Sequence, residues 1–97
     1  MVLAYAVFDI HLPGCRGLKE KRMVVKSLKT RIRNEFGVSA AEVGHQDLLQ
    51  RAQLGVAAVG PDQQPLDALL QHILRFVEEN LDGELLAYRN EFVHVGN

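Results

Sequence analysis

Apolar and other residues alternate through positions 2–12, VLAYAVFDIHL. Ala4, Ala6, Phe8, Ile10 and Leu12 fall on one face, and Leu3, Tyr5, Val7, Asp9 and His11 on the other. A period of two marks a half-buried strand, and the first set, which ends apolar, faces the core. A turn at 13–17 interrupts the pattern. From Leu18 the period lengthens, with Leu18, Val25, Leu28, Ile32 and Phe36 recurring at three-, four- and seven-residue steps. This is the stripe of an amphipathic helix, and Gly37 is placed to end it.

Residues 38–44, VSAAEVG, read as a short strand with Ala41 and Val43 inward. HQDLLQ at 45–50 fits either a helical turn or a long hairpin loop. Residues 51–59, RAQLGVAAV, form the next strand, with Leu54, Val56 and Ala58 on one face. GPDQQP at 60–65 is a dense turn cluster. A second helix is predicted over 66–81, its stripe made by Leu66, Leu69, Leu70, Ile73, Phe76, Val77 and Leu81. Asp82-Gly83 breaks the chain before a last strand over 84–95.

The order is βαββαβ, in which two right-handed βαβ units interleave. It predicts an α+β ferredoxin-like sandwich: a four-stranded antiparallel sheet in the order 4-1-3-2, with two helices on one face. The other face is bare or covered by a partner. With no linker and no low-complexity segment, residues 1–97 make a single domain.

Composition narrows the class. An apolar fraction of 47% with 24% charged residues is that of a soluble globular protein. No apolar run reaches the roughly 18 residues of a membrane span. The apolar opening has no basic leader and is cut by Asp9, so it does not read as a signal peptide. The one cysteine, Cys15, has no internal partner, and a reducing cytoplasm is the expected compartment.

The net charge of −1 hides a strong asymmetry. Residues 1–36 sum to +5 and the remainder to −6. At about 100° per residue, with Leu18 at zero, Lys19, Arg22, Lys26, Lys29 and Arg33 lie at about 100°, 40°, 80°, 20° and 60°. No acid interrupts this stripe; Glu20 and Glu35 lie elsewhere. Like charges at these spacings weaken a helix by roughly 0.2–0.5 kcal/mol per pair. An anionic partner such as a phosphate backbone would offset that cost. The alternative is neutralisation by acids such as Glu78, Glu79 or Glu84.

The loop LPGCRGLKEKR at 12–22 admits two further readings. A cysteine phosphatase loop places five residues between Cys and Arg; here Lys21 follows Cys15 at that spacing and Arg22 comes one later. Acylphosphatase, which has this fold, needs a loop arginine and a second-strand asparagine. Arg16 could serve as the first, but 38–44 holds no Asn. A small phosphate-handling enzyme is therefore the least supported reading, no catalytic residue is assigned, and Cys15 reads as a small apolar residue under a turn. Gly14 and Gly17, with Arg16 and Lys19 beside the helix start, could instead hold an anion without chemistry.

The open sheet face is expected to carry Tyr5, Val7 and His11 from the first strand, Arg51 and Gln53 from the third, and Arg89 if the last strand has the matching parity. Base stacking would have only Tyr5 to use. Leu3, Val7 and Val59 better suit a face buried in a homodimer. The four histidines are not expected to converge: His11 is placed at the opposite end of the sheet from His45, His94 on the opposite edge, and His72 on the polar side of the second helix. No metal and no cofactor is expected, and His45 to Asp47 reads as a loop hydrogen-bond cluster.

The segments LPGCRGLKEKRMVVKSLKTRIRNEF and VSAAEVGHQDLLQRAQLGVAAVG closely resemble the YlxP-like family, small bacterial proteins of unknown function. The pattern is carried by Leu18-Lys19-Glu20-Lys21-Arg22, Ala41-Glu42-Val43, His45, Asp47, Arg51, Ala52 and Leu54-Gly55. Gly17 departs from it, standing where the family often has serine. The resemblance implies the same ferredoxin-like fold. It also implies a place near RNA or the ribosome, because genes of this family commonly neighbour those for transcription-termination and translation-initiation factors. The expected function is non-enzymatic RNA or ribosome binding through Arg16, Lys19, Arg22, Lys26, Lys29 and Arg33. The alternative is a homodimeric module using Tyr5, Val7, His11 and Arg51.

Overall fold

The computed structural model describes residues 1–96. Its elements are β1 (Val2–His11), α1 (Leu18–Phe36), β2 (Ser39–Gly44), β3 (Arg51–Gly60), α2 (Gln63–Asn80) and β4 (Glu84–His94). The sheet order is β2-β3-β1-β4 with every neighbouring pair antiparallel. This is the expected ferredoxin-like order 4-1-3-2 read from the other edge. Among the described residues no helix is long and apolar enough to cross a membrane.

The core lies between one sheet face and the two helices. Ala4, Ala6, Phe8 and Ile10 of β1 and Ala52, Leu54 and Val56 of β3 are buried, while their alternate neighbours are half-buried or exposed. Val25, Leu28 and Ile32 of α1 and Leu66, Leu70, Ile73 and Val77 of α2 close the core from above. Phe36 and Phe76 meet edge to face at 5.5 Å between ring centroids, joining the two helices. Gly37, at φ 64°, ends α1 as its N–H reaches Arg33 O, a left-handed cap that suits a residue without a Cβ. α2 begins three residues before the predicted start. Pro65 is absorbed in its first turn, where the backbone N–H groups have no helical partner to lose.

Two packing expectations are corrected. In β2, Ala40 is buried and Glu42 mostly so, while Ala41 and Val43 are exposed, the reverse of the expected parity. In α1, Leu18 is 40% exposed, and Lys21 occupies the inward place of the first turns at 2% exposure. These corrections have one cause. Glu42 and Lys21 are drawn inward toward each other, with Lys21 Nζ 3.3 Å from Glu42 Oε2. Hydrophobic periodicity assigns neither charge to the interior.

Candidate functional site

Two features stand out: a polar cluster at the loop end of the sheet and the cationic face of α1. The cluster starts from Lys21. Its ammonium is buried, and a buried charge is tolerated only when its donors are satisfied. It donates to His45 O at 2.6 Å and Gln46 O at 3.4 Å, and its charge lies 3.3 Å from Glu42 Oε2, an ion pair without a hydrogen bond.

His45 makes this possible through its backbone. It holds φ 58°, a left-handed conformation that costs a non-glycine residue of the order of 1 kcal/mol. That turn aims its carbonyl at the Lys21 ammonium, and Leu48 N–H donates to the same oxygen at 3.0 Å. Its imidazole Nε2 lies 3.9 Å from Asp9 Oδ1. Arg51 Nη2 donates to that same Asp9 oxygen at 2.8 Å. Beside them, His11 Nδ1 is 3.1 Å from Glu84 Oε1.

The expected separation of His11 from His45 is therefore overturned. β1 and β2 each run antiparallel to β3, so they run the same way, and His11 and His45 follow them to the same end of the sheet. Among the described residues no three His, Cys, Asp or Glu side chains are gathered in a metal-holding arrangement.

The same end is tied to the turn at 13–17. Leu12 N–H donates to Gln50 O at 2.8 Å, and the Gln50 carboxamide donates to both Pro13 O and Cys15 O at 3.2 Å. Cys15 is buried beneath this clasp. Burial pushes its thiol pKa up, with Glu20 adding to the effect, the opposite of what activates a nucleophile. The Glu20 side chain reaches back to accept the Arg16 backbone N–H at 3.2 Å. A carboxylate of the chain itself thus sits at the start of α1, where the anion was expected. Asp47 lies exposed in the loop.

The α1 cations are arranged otherwise. Lys19, Arg22, Lys26 and Arg33 are exposed and Lys29 half-buried. Arg22, Lys26, Lys29 and Arg33 border a shallow groove of about 280 Å³ between α1 and β2, with Glu42 at its floor. Among the described residues, the ion pairs involve Lys21, His11, His45 and Arg51 but none of the stripe. Glu84 is engaged by His11, and neither Glu78 nor Glu79 pairs with a cation of α1. Arg33 differs from the others because its guanidinium also donates to Ala40 O, stitching α1 to β2. Arg16 is exposed just ahead of the helix.

On the open face the placements of Tyr5, Val7, His11 and Arg51 are as expected, all half-buried. Arg89 pairs opposite Val7 and has the matching parity. Tyr5 OH donates to Glu91 at 2.7 Å, which raises the tyrosine pKa by stabilising its protonated form. Lys21, Glu42 and Asp9 are the residues that candidate reading passed over. The available signal was angular: Lys21 lies at about 300° from Leu18, in the middle of the apolar arc of α1.

The Lys21, Glu42, His45 and Arg51 of the cluster all belong to the segments that carry the family resemblance. A family profile described as "Protein of unknown function (DUF503)" matches residues 3–90. The chain is 40% identical over 91 residues to the uncharacterized protein YlxP of Bacillus subtilis (strain 168), a match covering 94% of this chain and 99% of that relative. By both matches the chain belongs to the YlxP-like DUF503 family of proteins of unknown function.

Proposed function

We propose that this protein is a non-enzymatic binder of RNA, and through RNA of ribosomal particles, with the cationic face of α1 as its contact surface. The observation that carries the reading is the stripe of exposed Lys19, Arg22 and Lys26 with half-buried Lys29, none of which joins an ion pair among the described residues. Such a surface meets phosphates without reading bases, so the binding is electrostatic and weakly sequence-dependent. Arg16 and Arg33 extend the stripe at its two ends.

The salt dependence follows from the number of cations. If about five phosphates are neutralised, the slope of log K against log salt is about −3.5 for single strands and about −4.5 for duplex. Between 50 and 200 mM salt the affinity then falls by roughly 100- to 500-fold. The test is binding to bulk RNA and co-sedimentation with ribosomal subunits across that range. The variant is Lys19→Glu/Arg22→Glu/Lys26→Glu, which spares Arg33 and its bond to β2. Loss of salt-sensitive binding in a variant with unchanged circular dichroism supports the reading. Tight binding that ignores salt, or binding unaltered in the variant, refutes it.

A further inference from the structure

The face of the sheet away from the helices carries an apolar field with no cover from the chain itself. Leu3 of β1 lies between Val59 of β3 and Val93 of β4 in the paired register. Val59 is 65% and Val93 46% exposed. Toward β2 the field continues as an open groove of about 760 Å³, with Tyr5 and Val7 at one side, Val43 at the other, and Arg33 of α1 also in its lining. Its floor is Gly55, flanked by Val7 and Ala41 in the neighbouring strands.

We propose that this face is the interface of a homodimer, covered by a second copy of the same chain. Area and charge both favour that occupant. Four strands spaced about 4.8 Å apart, with rises of about 3.3 Å per residue, present a face on the order of 600 Å². Two such faces remove about 1,200 Å² from water, at the threshold of a specific interface.

The polar groups of this face are largely satisfied within it: Asp9 by Arg51, Glu84 by His11, Glu91 by Tyr5. With Arg89 added and the histidines neutral, Asp9, Glu84, Glu91, Arg51 and Arg89 sum to −1. A nearly neutral, internally paired face neither repels its own copy nor attracts a polyanion. The helical side, with its cationic stripe, would repel a copy of itself.

A two-fold axis along the strands sets apolar end over apolar end and the Asp9–Arg51 end over its equivalent. Aligned sheets pack about 10 Å apart in this way. Both α1 helices then lie on the outside, and of the stripe only Arg33 lines the groove, so Lys19, Arg22, Lys26 and Lys29 stay open to RNA in the dimer.

The experiment is sedimentation equilibrium of the full chain with Val59→Arg and, separately, Val93→Arg. Interfaces at this threshold bind in the micromolar range, so a Kd near 1 μM makes the wild type dimeric at about 100 μM. Both substituted positions are exposed in the protomer, so each variant is expected to keep its circular dichroism and sediment as a monomer. A wild type that is monomeric at about 100 μM overturns the proposal and leaves the face to another partner or to solvent. A dimer that survives both substitutions also overturns it by placing the interface elsewhere.

Discussion

Replacing Lys21 by methionine tests the account of the interior most directly. Methionine keeps the length and apolar stem of lysine but removes the ammonium. Two things are then left without a partner, the Glu42 carboxylate and Gln46 O, while His45 O keeps only the Leu48 N–H. Breaking a buried ion pair from one side costs roughly 3–5 kcal/mol. The Glu42 side chain keeps 18% exposure, so some water reaches it and the low end applies, about 3 kcal/mol. For a domain of this size each kcal/mol lowers Tm by about 4–8 °C, so the expected loss is about 12–24 °C. The assay is urea unfolding followed by circular dichroism, with the slope compared to confirm an unchanged transition. Lys21→Met/Glu42→Gln removes the stranded charge but does not restore the lysine's bonds to His45 O and Gln46 O. It should recover about half of the loss, a coupling of roughly 1.5 kcal/mol in the double-mutant cycle. A single-variant loss below about 1 kcal/mol, or two additive losses, would refute Lys21 as the anchor of this end of the fold.

Further predictions concern glycine and cysteine. A Cβ at Gly83 would collide with the backbone carbonyl of His11, which cannot swing aside, whereas one at Gly44 would meet the mobile end of Gln53. Gly83→Ala should therefore lower stability by about 1–3 kcal/mol and Gly44→Ala by clearly less, measured by thermal unfolding. The Cys15 thiol should react with a disulfide reagent in the native protein only at the rate of local opening, and rapidly in denaturant. A fast native reaction would contradict its burial. Because burial raises the Cys15 pKa, the fold holds its proton more tightly than the unfolded chain does. The resulting stability is complete below the ordinary thiol range and is lost as pH rises toward the raised folded value. Cys15→Ala should flatten the alkaline fall of urea midpoints, and an unchanged fall would assign it to other groups.

The elements were legible because most of this chain obeys one rule at a time. β1 and β3 each cover the core with one face, so alternation reads them correctly. α1 and α2 are ended by Gly37 and by the Asp82-Gly83 break. The cationic face of α1 was legible for the same reason, being a matter of angles on one helix. What escaped was long-range. Lys21 and Glu42 are distant in sequence, and each looks misplaced on the core side until the other is beside it. The placement of His11 relative to His45 needed strand direction as well as strand order. The role of Asp9, which receives Arg51 and faces the His45 ring, depends on a loop conformation that no local propensity announces.

The Gln50 clasp has a dynamic consequence. Gln50 holds Pro13 and Cys15, Leu12 holds Gln50, and Lys21 holds the two residues that open the loop. These bonds tie together the same two short segments, so the amides of Leu12, Cys15, Lys21 and Leu48 are expected to exchange with solvent as one cooperative unit. A ligand that settles on the first turns of α1 would slow exchange in the loop of residues 45–50 without touching it. Protection would thus pass from the first turns of α1 to the loop beside them as a change in opening frequency rather than in shape.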